Sequence, residues 1–268
     1  MLVEKILIDE NNMSGDGDLA FWLGASDFHQ WLIEVACLEP GEFPEILHCL
    51  DKLSYYGQQV DNGGHEQFAK NSGWQAALNT RIRAGLMEVA TRDHLDIFEE
   101  FSRIMETKSP MRSAILSKRA FASPKKVEAL DSRYFRLGGH RGVMRLGNAW
   151  LQSSPLVLVL PSDELERQKA SILKATPLLD GRRAARDAAR EAVLAADPMH
   201  IAARAVCALH GIAFKGFAGG EPTQTPGVIR WRMATSSGMF WLQLGPKQAD
   251  LLDWDSKTVL QTYSISKP

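Results

Sequence analysis

Cysteine is scarce in this sequence, and the patterns that bind metals are missing. The 268 residues hold three cysteines, Cys37, Cys49 and Cys207, which are scattered along the chain. An odd, scattered set argues against a disulfide framework and predicts three free thiols, most of them buried, in a reducing cytoplasm. There is no Cys-x-x-Cys, no His-Glu-x-x-His and no Asp-rich calcium loop. We therefore expect no metal and no other cofactor.

Long apolar runs and catalytic motifs are missing as well. No run approaches the roughly 20 apolar residues of a membrane-spanning helix, and no basic segment precedes the apolar residues at the N-terminus. We therefore expect a cytoplasmic protein without membrane association. The sequence has no Walker loop, no Gly-x-Gly-x-x-Gly between a strand and a helix, and no Gly-x-Ser-x-Gly. Since nothing selects a catalytic residue, the sequence favours a protein without enzymatic activity over an enzyme.

Charge is distributed unevenly along the chain. The net charge is −1, but residues 1–110 hold 19 Asp/Glu against 8 Lys/Arg, and residues 111–268 hold 13 against 23. Such segregation has two interpretations. The two parts attract each other within the molecule, or each part faces a partner of opposite charge.

The spacing of apolar residues predicts a mainly α fold. Spacings of three and four indicate helices in the N-terminal part, and an Ala- and Arg-rich segment at 181–196 has high helix propensity. From Asp197 a short capped helix is followed by alternating segments such as VIRWRMA, MFWLQL and TVLQTYSI, which indicate strands. We predict a helical domain over 1–175, a connector helix over 176–196, and a small α+β module over 197–268 with one helix and about four strands.

The stretch DNGGHEQFAKNSGW, residues 61–74, lies between two helical patterns. Its paired glycines accept positive φ and allow close backbone approach, so we predict a tight corner between helices. Asn62 is a suitable cap for a helix that starts near Gly64, and Gly73 would end that helix. Binding of an anion at the helix N-terminus is the other interpretation. The candidate binding residues of this motif are Asn62, Gly63, Gly64, Gln67, Phe68 and Asn71.

A second candidate surface is basic. Residues 112–145 are dense in Lys and Arg, with Phe121, Tyr134 and Phe135 between them. Basic residues interleaved with aromatic ones are typical of nucleic-acid binding. The candidate patch consists of Arg112, Lys118, Arg119, Lys125, Lys126 and Arg141.

Three segments together resemble one known family. They are the Asn-Gly-Gly-x-x-Gln-Phe-x-x-Asn pattern starting at Asn62, the helix RIRAGLMEVA at 81–90, and LDSRYFRL at 130–137. This arrangement resembles the bacterial DNA-mimic-protein-like helical domain, a domain of unknown function, over roughly residues 30–170. The resemblance implies a helical domain in a bacterial cytoplasmic protein, with no catalytic activity attributed to the fold. It also implies that acidic side chains take the place of DNA phosphates on a DNA-binding partner.

These observations lead to one functional hypothesis and two alternatives. We expect a non-enzymatic interaction protein whose acidic helical face engages a basic protein, of which a DNA-binding protein is one kind. The first alternative is a nucleic-acid-binding protein that uses the basic segment 112–145. The second is a hydrolase with a site between the two modules. The sequence identifies neither the partner nor the oligomeric state.

Overall fold

The computed structural model describes residues 1–14, 17–90, 92–107, 110–116, 125–223, 225 and 228–265. The chain divides into two compact units, Met1–Leu179 and Asp180–Pro268. This division does not coincide with the charge segregation, because the basic segment 112–145 lies in the same unit as the acidic N-terminal residues. Counted by unit, the first has 24 Asp/Glu against 20 Lys/Arg and the second has 8 against 11.

The first unit is mainly helical, as predicted. Its helices are α1 (Ala20–Glu34), α2 (Glu45–Ser72), α3 (Ala76–Val89), α4 (Arg92–Glu106), α5 (Pro110–Leu116), α6 (Lys125–Arg136), α7 (Gly139–Ser153) and α8 (Ser162–Ala175). Pro44 precedes α2, where its fixed φ suits the entry to a helix. Gly73 ends α2 with a φ of 60°, as predicted for a left-handed C-cap.

A small parallel sheet, which was not predicted, also belongs to the first unit. Strand β1 (Ile6–Asp9) pairs with β2 (Val157–Leu160) in parallel, with Ile6 opposite Val157. The segment at 157–160 was too short for its period to distinguish strand from helix. Pairing with β1, about 150 residues away in the chain, is what makes it a strand.

The core of the first unit is aromatic at its centre. Tyr56 makes edge-to-face contacts with Phe68, Phe98 and Tyr134, all of which are at most 1% exposed. Edge-to-face pairs bring the positive ring edge to the negative ring face and stabilise such a cluster beyond its buried area. This cluster joins α2 to α4 and α6, so it fixes the surroundings of the Gly63–Gly64 motif.

The second unit contains two helices and an antiparallel sheet. Its elements are α9 (Leu179–Ala196), which begins one residue before the unit boundary, α10 (Pro198–Leu209), β3 (Phe214–Pro222), β4 (Ile229–Thr235), β5 (Gly238–Leu244), β6 (Gln248–Leu252) and β7 (Val259–Ser264). The strands pair in chain order. Asp197 caps α10 by accepting the N–H groups of Met199 and His200, as the sequence predicts. The sheet has five strands, whereas the sequence predicted about four, because β3 and β6 carry weak strand signals.

Alternation along the strands gives the sheet two different faces. On one face Met233, Leu242 and Leu251 are fully buried and pack with Ala203 and Val206 of α10. The face opposite α10 carries polar, basic and indole side chains. This division into two faces follows from the period of two in the sequence.

The three cysteines are free and buried, as expected. Within the described residues, no single helix is long and apolar enough to cross a membrane, although α9 and α10 together reach that length and composition while meeting at 82°.

Candidate functional site

The predicted corner is a break inside α2. Helical geometry is interrupted at Gly63 (φ −174°, ψ 30°) and Gly64 (φ 73°, ψ 179°) and resumes after them. The values at Gly64 lie in a region that only glycine occupies without strain. A side chain would also have no room there, because a Cβ on Gly64 would lie 2.4 Å from Oδ2 of Asp131. The second glycine of the motif is therefore required by both conformation and space.

The cap of the resumed helix comes from another helix. The carboxylate of Asp131 on α6 accepts the backbone N–H of His65 at 2.9 Å and Nδ1 of the same residue at 2.5 Å. The predicted cap, Asn62, is exposed and its side chain makes no hydrogen bond among the described residues. The prediction that Asn62 is the cap was wrong. The free N–H groups at a helix N-terminus can donate to any nearby carboxylate, and only the tertiary fold brings Asp131 close to them.

The His65 ring lies in the aromatic core. It is 0% exposed, and Nε2 forms a 2.8 Å hydrogen bond with the phenol of Tyr56. Burial raises the pKa of Tyr56 well above its ordinary value. The His65 side chain thus links α2 to α6 through Asp131, and it joins the two parts of α2 across the break through Tyr56.

The remaining motif residues divide between core and surface. Phe68 is fully buried. Gln67 and Asn71 both donate to the side-chain oxygen of Gln59, one turn before the break, at 3.5 and 2.5 Å. These contacts hold the two parts of α2 together across the break. A binding role for the motif residues stays a prediction.

The basic segment lies partly against acidic residues of its own unit. Arg133 binds Glu100 at 2.8 Å, and Arg141 and Arg145 both bind Asp18, at 3.3 and 2.8 Å. Each pair joins the N-terminal acidic residues to the basic segment. For these residues, the observation favours the first interpretation of the charge pattern, which is attraction within the molecule.

The residues of the candidate basic patch that the structure describes lie on three different helices. Lys118 and Arg119 lie outside the described residues. Arg112 is on α5, Lys125 and Lys126 begin α6, and Arg141 is on α7 beside Asp18. Nucleic-acid binding by this segment stays a prediction.

A cavity of about 330 Å³ lies between α1 and α2. Both of its charged lining residues are acidic, Glu34 and Asp51. Aliphatic side chains supply part of the wall, and the uncharged polar ones are Ser26, His29, Gln30 and Ser54. One oxygen of Asp51, Oδ2, binds Lys52 at 2.7 Å. The cavity therefore combines apolar walls with negative charge and hydrogen-bond acceptors.

A pair of buried histidines adjoins this cavity. Nε2 of His29 on α1 lies 3.1 Å from Nδ1 of His48 on α2. Burial lowers the pKa of His29 from 6.5 to about 4, and burial also lowers the pKa of His48. Both rings are therefore neutral at pH 7, and His29 presents no positive charge to the cavity.

The cavity and its histidine pair were not foreseen from the sequence. The signal that could have found them is the position of each histidine on the buried side of its helix. Within the described residues, no group of three or more His, Cys, Asp or Glu side chains is arranged to hold a metal ion.

Comparison with known proteins agrees with the helical architecture. No curated protein and no solved structure matches the chain. Residues 41–154, less than half of the chain, match the family model described as DMP19-like protein. The match covers the segment from the start of α2 to the end of α7, which contains the Gly63–Gly64 break, His65 and Asp131. It confirms the predicted resemblance for this segment, although it does not test the Asn-Gly-Gly-x-x-Gln-Phe motif by itself. The segment 41–154 of the helical unit is thus similar to the DMP19-like protein family.

Proposed function

We propose that the helical unit is a non-enzymatic interaction domain that binds a basic protein. A Lys or Arg side chain of that protein enters the cavity between α1 and α2. The observation that carries this proposal is the composition of the cavity, whose two charged lining residues, Glu34 and Asp51, are both acidic.

The chemistry of the cavity suits a long cationic side chain. Lys and Arg carry a charged head on an aliphatic stem, and they bury the stem while the head stays polar. Ala25, Ile33, Leu47 and Leu50 would contact the stem, and the carboxylates with the neighbouring hydroxyl groups would accept hydrogen bonds from the head. Neutral His29 would not repel it.

The charge of the unit supports the same class of partner. Its net formal charge is negative, and three arginines of its basic segment already contact acidic residues within the unit. Long-range attraction of opposite charge speeds the encounter and selects the partner class more than it sets affinity. A DNA-binding protein is one kind of basic partner that fits, in keeping with the DMP19-like family.

The test uses an arginine-rich peptide and the same peptide with citrulline at every arginine. Citrulline keeps the shape of the side chain and removes its charge. Calorimetry on the full chain should detect binding of the arginine peptide and little or none of the citrulline peptide. In the same titration, NMR signals of α1 and α2 residues, including His29 and Ser54, should shift.

The double variant Glu34→Gln/Asp51→Asn should bind the arginine peptide about tenfold more weakly, as for an interaction worth roughly 1.4 kcal/mol. The matched control is Glu88→Gln, which removes an exposed acidic charge on α3, away from the cavity lining. Equal affinities of the double variant and the control would place binding elsewhere and refute the proposal.

A further inference from the structure

The face of the five-stranded sheet opposite α10 carries two rows of side chains. Across the strands, the register aligns Glu221, Arg230, Gln243, Asp250 and Thr262 in one row. The second row passes through Arg232 and Trp241 and continues to Leu252. One basic and one aromatic residue are thus direct neighbours on this face.

Trp241 forms the base of a stacked pair of indoles. Its ring is nearly parallel to that of Trp254, with centroids 4.9 Å apart and an interplanar angle of 10°. Nε1 of Trp241 also donates to the backbone carbonyl of Trp254 at 3.1 Å. Trp241 is 7% exposed and Trp254 is 36% exposed. One face of Trp254 is therefore occupied by Trp241, and the exposed fraction of Trp254 is an apolar surface in contact with water.

The turn that carries Trp254 is fixed before any ligand arrives. The carboxylate of Asp253 accepts the N–H groups of Asp255 and Ser256, at 3.1 and 2.8 Å, together with the hydroxyl of Ser256. These bonds also lower the pKa of Asp253. Because the turn is held by its own residues, Trp254 would lose little conformational freedom when it binds.

Positive charge surrounds the stacked pair. The guanidinium of Arg230 lies 5.9 Å from the centroid of the Trp241 ring, and Nζ of Lys257 lies 5.4 Å from it. Arg232, directly opposite Trp241, is exposed. The acidic residues on this face are Glu221, which binds Arg230 at 3.4 Å, and Asp250, and the turn adds Asp253 and Asp255.

Most groups of the polar row are hydrogen-bonded within the sheet, although Nε of Arg230 has no hydrogen-bond partner among the described residues. Arg230 donates to Gln243 at 3.1 Å, and Asp250 accepts from Thr262 at 2.7 Å and from Gln248 at 2.9 Å. Groups engaged in this way hold the sheet together rather than read the edges of bases. A ligand of this face would be recognised by stacking and charge, with little dependence on sequence.

We propose that this face of the sheet binds single-stranded nucleic acid. One base stacks on the outer face of Trp254, and the phosphates on either side contact Arg232 and Lys257. An exposed aromatic ring flanked by cations is the combination used by proteins that bind single strands without sequence preference. This surface is separate from the basic segment 112–145 and does not depend on the function proposed for the helical unit.

The test measures fluorescence anisotropy of a labelled oligothymidylate, roughly 12 nucleotides long to match one small binding module, with the full chain at low salt. We expect binding that weakens as salt rises. Trp254→Ala should weaken it about tenfold, the size expected for loss of one stacked base. Trp254→Phe, which keeps an aromatic ring, should retain affinity within about threefold. Lys257→Gln should reduce the slope of log affinity against log salt by about 0.7.

Heparin is the matched probe, because it is a polyanion without bases. Trp254→Ala should bind heparin as the unaltered chain does. The proposal is overturned if the unaltered chain fails to bind the oligonucleotide at low salt. It is also overturned if the Ala and Phe variants bind it equally, or if the Ala variant loses heparin and oligonucleotide binding to the same extent. Far-UV circular dichroism of each variant establishes that the sheet is intact.

Discussion

Nδ1 of His65 lies 2.5 Å from Oδ1 of Asp131, and this contact joins two sequence segments that are 66 residues apart. His65 follows the paired glycines of α2, and Asp131 belongs to the LDSRYFRL segment on α6. The His65 side chain is 0% exposed and that of Asp131 is 17% exposed. Two of the segments that carried the family resemblance are therefore one structural unit, in which a carboxylate serves both the backbone and the side chain of the same residue.

Asp131→Ala should destabilise the first unit by about 2 to 4 kcal/mol, since it removes a helix cap and leaves a buried imidazole without its acceptor. Asp131→Asn keeps one acceptor oxygen and should lose less. Urea unfolding followed by tryptophan fluorescence measures both. Glu128→Gln, an exposed change on the same helix, should stay within about 0.5 kcal/mol. An Ala variant as stable as this control would show that the contact contributes nothing.

Gly64→Ala should destabilise the first unit by about 3 kcal/mol, because it combines backbone strain at φ 73° with a contact of 2.4 Å to Asp131. Gly63→Ala is the matched comparison. The φ of Gly63 is extended, and its Cβ would meet chiefly the end of the flexible Gln67 side chain. We expect a loss of about 1 kcal/mol or less there. Thermal unfolding of both variants measures the difference in stability. Equal losses of stability would contradict the conclusion that only Gly64 requires glycine.

Gly147→Ala tests the packing of α1 on α7. A Cβ at this position would lie 2.2 Å from the buried ring of Trp22, so we expect a loss of about 1 to 3 kcal/mol. Gly181→Ala is its opposite, since the position is helical in α9 and has open space around it. Helix propensity should stabilise α9 by about 0.5 to 1 kcal/mol there. Differential scanning calorimetry distinguishes a fall from a rise in Tm.

The buried histidine pair should make stability depend on pH. His29 takes up its proton with a pKa of about 4 in the folded protein and 6.5 in the unfolded chain. Between these values the unfolded chain binds more protons, so the free energy of unfolding falls as pH drops from 6.5 towards 4 and stays lowered below that. The contribution of His29 is on the order of 3 kcal/mol. Burial acts in the same direction on His48.

Urea unfolding at several pH values between 7 and 4 measures this dependence. The double variant His29→Gln/His48→Gln should show a shallower decline than the unaltered chain, because its unfolded state has two fewer groups that bind protons in this range. The exposed His210 provides the control, and His210→Gln should leave the slope as it was. Parallel slopes for all three proteins would count against a neutral buried pair.

Local signals in the sequence predicted much of the secondary structure. The mainly α fold, the Asp197 cap, the Gly73 helix end and three of the strands after α10 follow from spacing, capping and alternation, which act over a few residues. The other two strands carry weaker signals. Strand β6 (Gln248–Leu252) has only five residues, and β3 contains three glycines, which weaken the alternation that marks a strand.

The sequence by itself determined that the chain turns sharply at Gly63 and Gly64, since only glycine adopts the backbone conformation at Gly64 without strain. It also indicated that most of the three thiols are buried, since free cysteines behave as small apolar side chains. The tertiary structure alone decided which carboxylate caps the helix after the break. It decided that arginines of the basic segment bind Glu100 and Asp18, that His29 meets His48 beside an acidic cavity, and that Trp241 stacks on Trp254. Each of these depends on distances between segments far apart in the chain, and no local pattern records them.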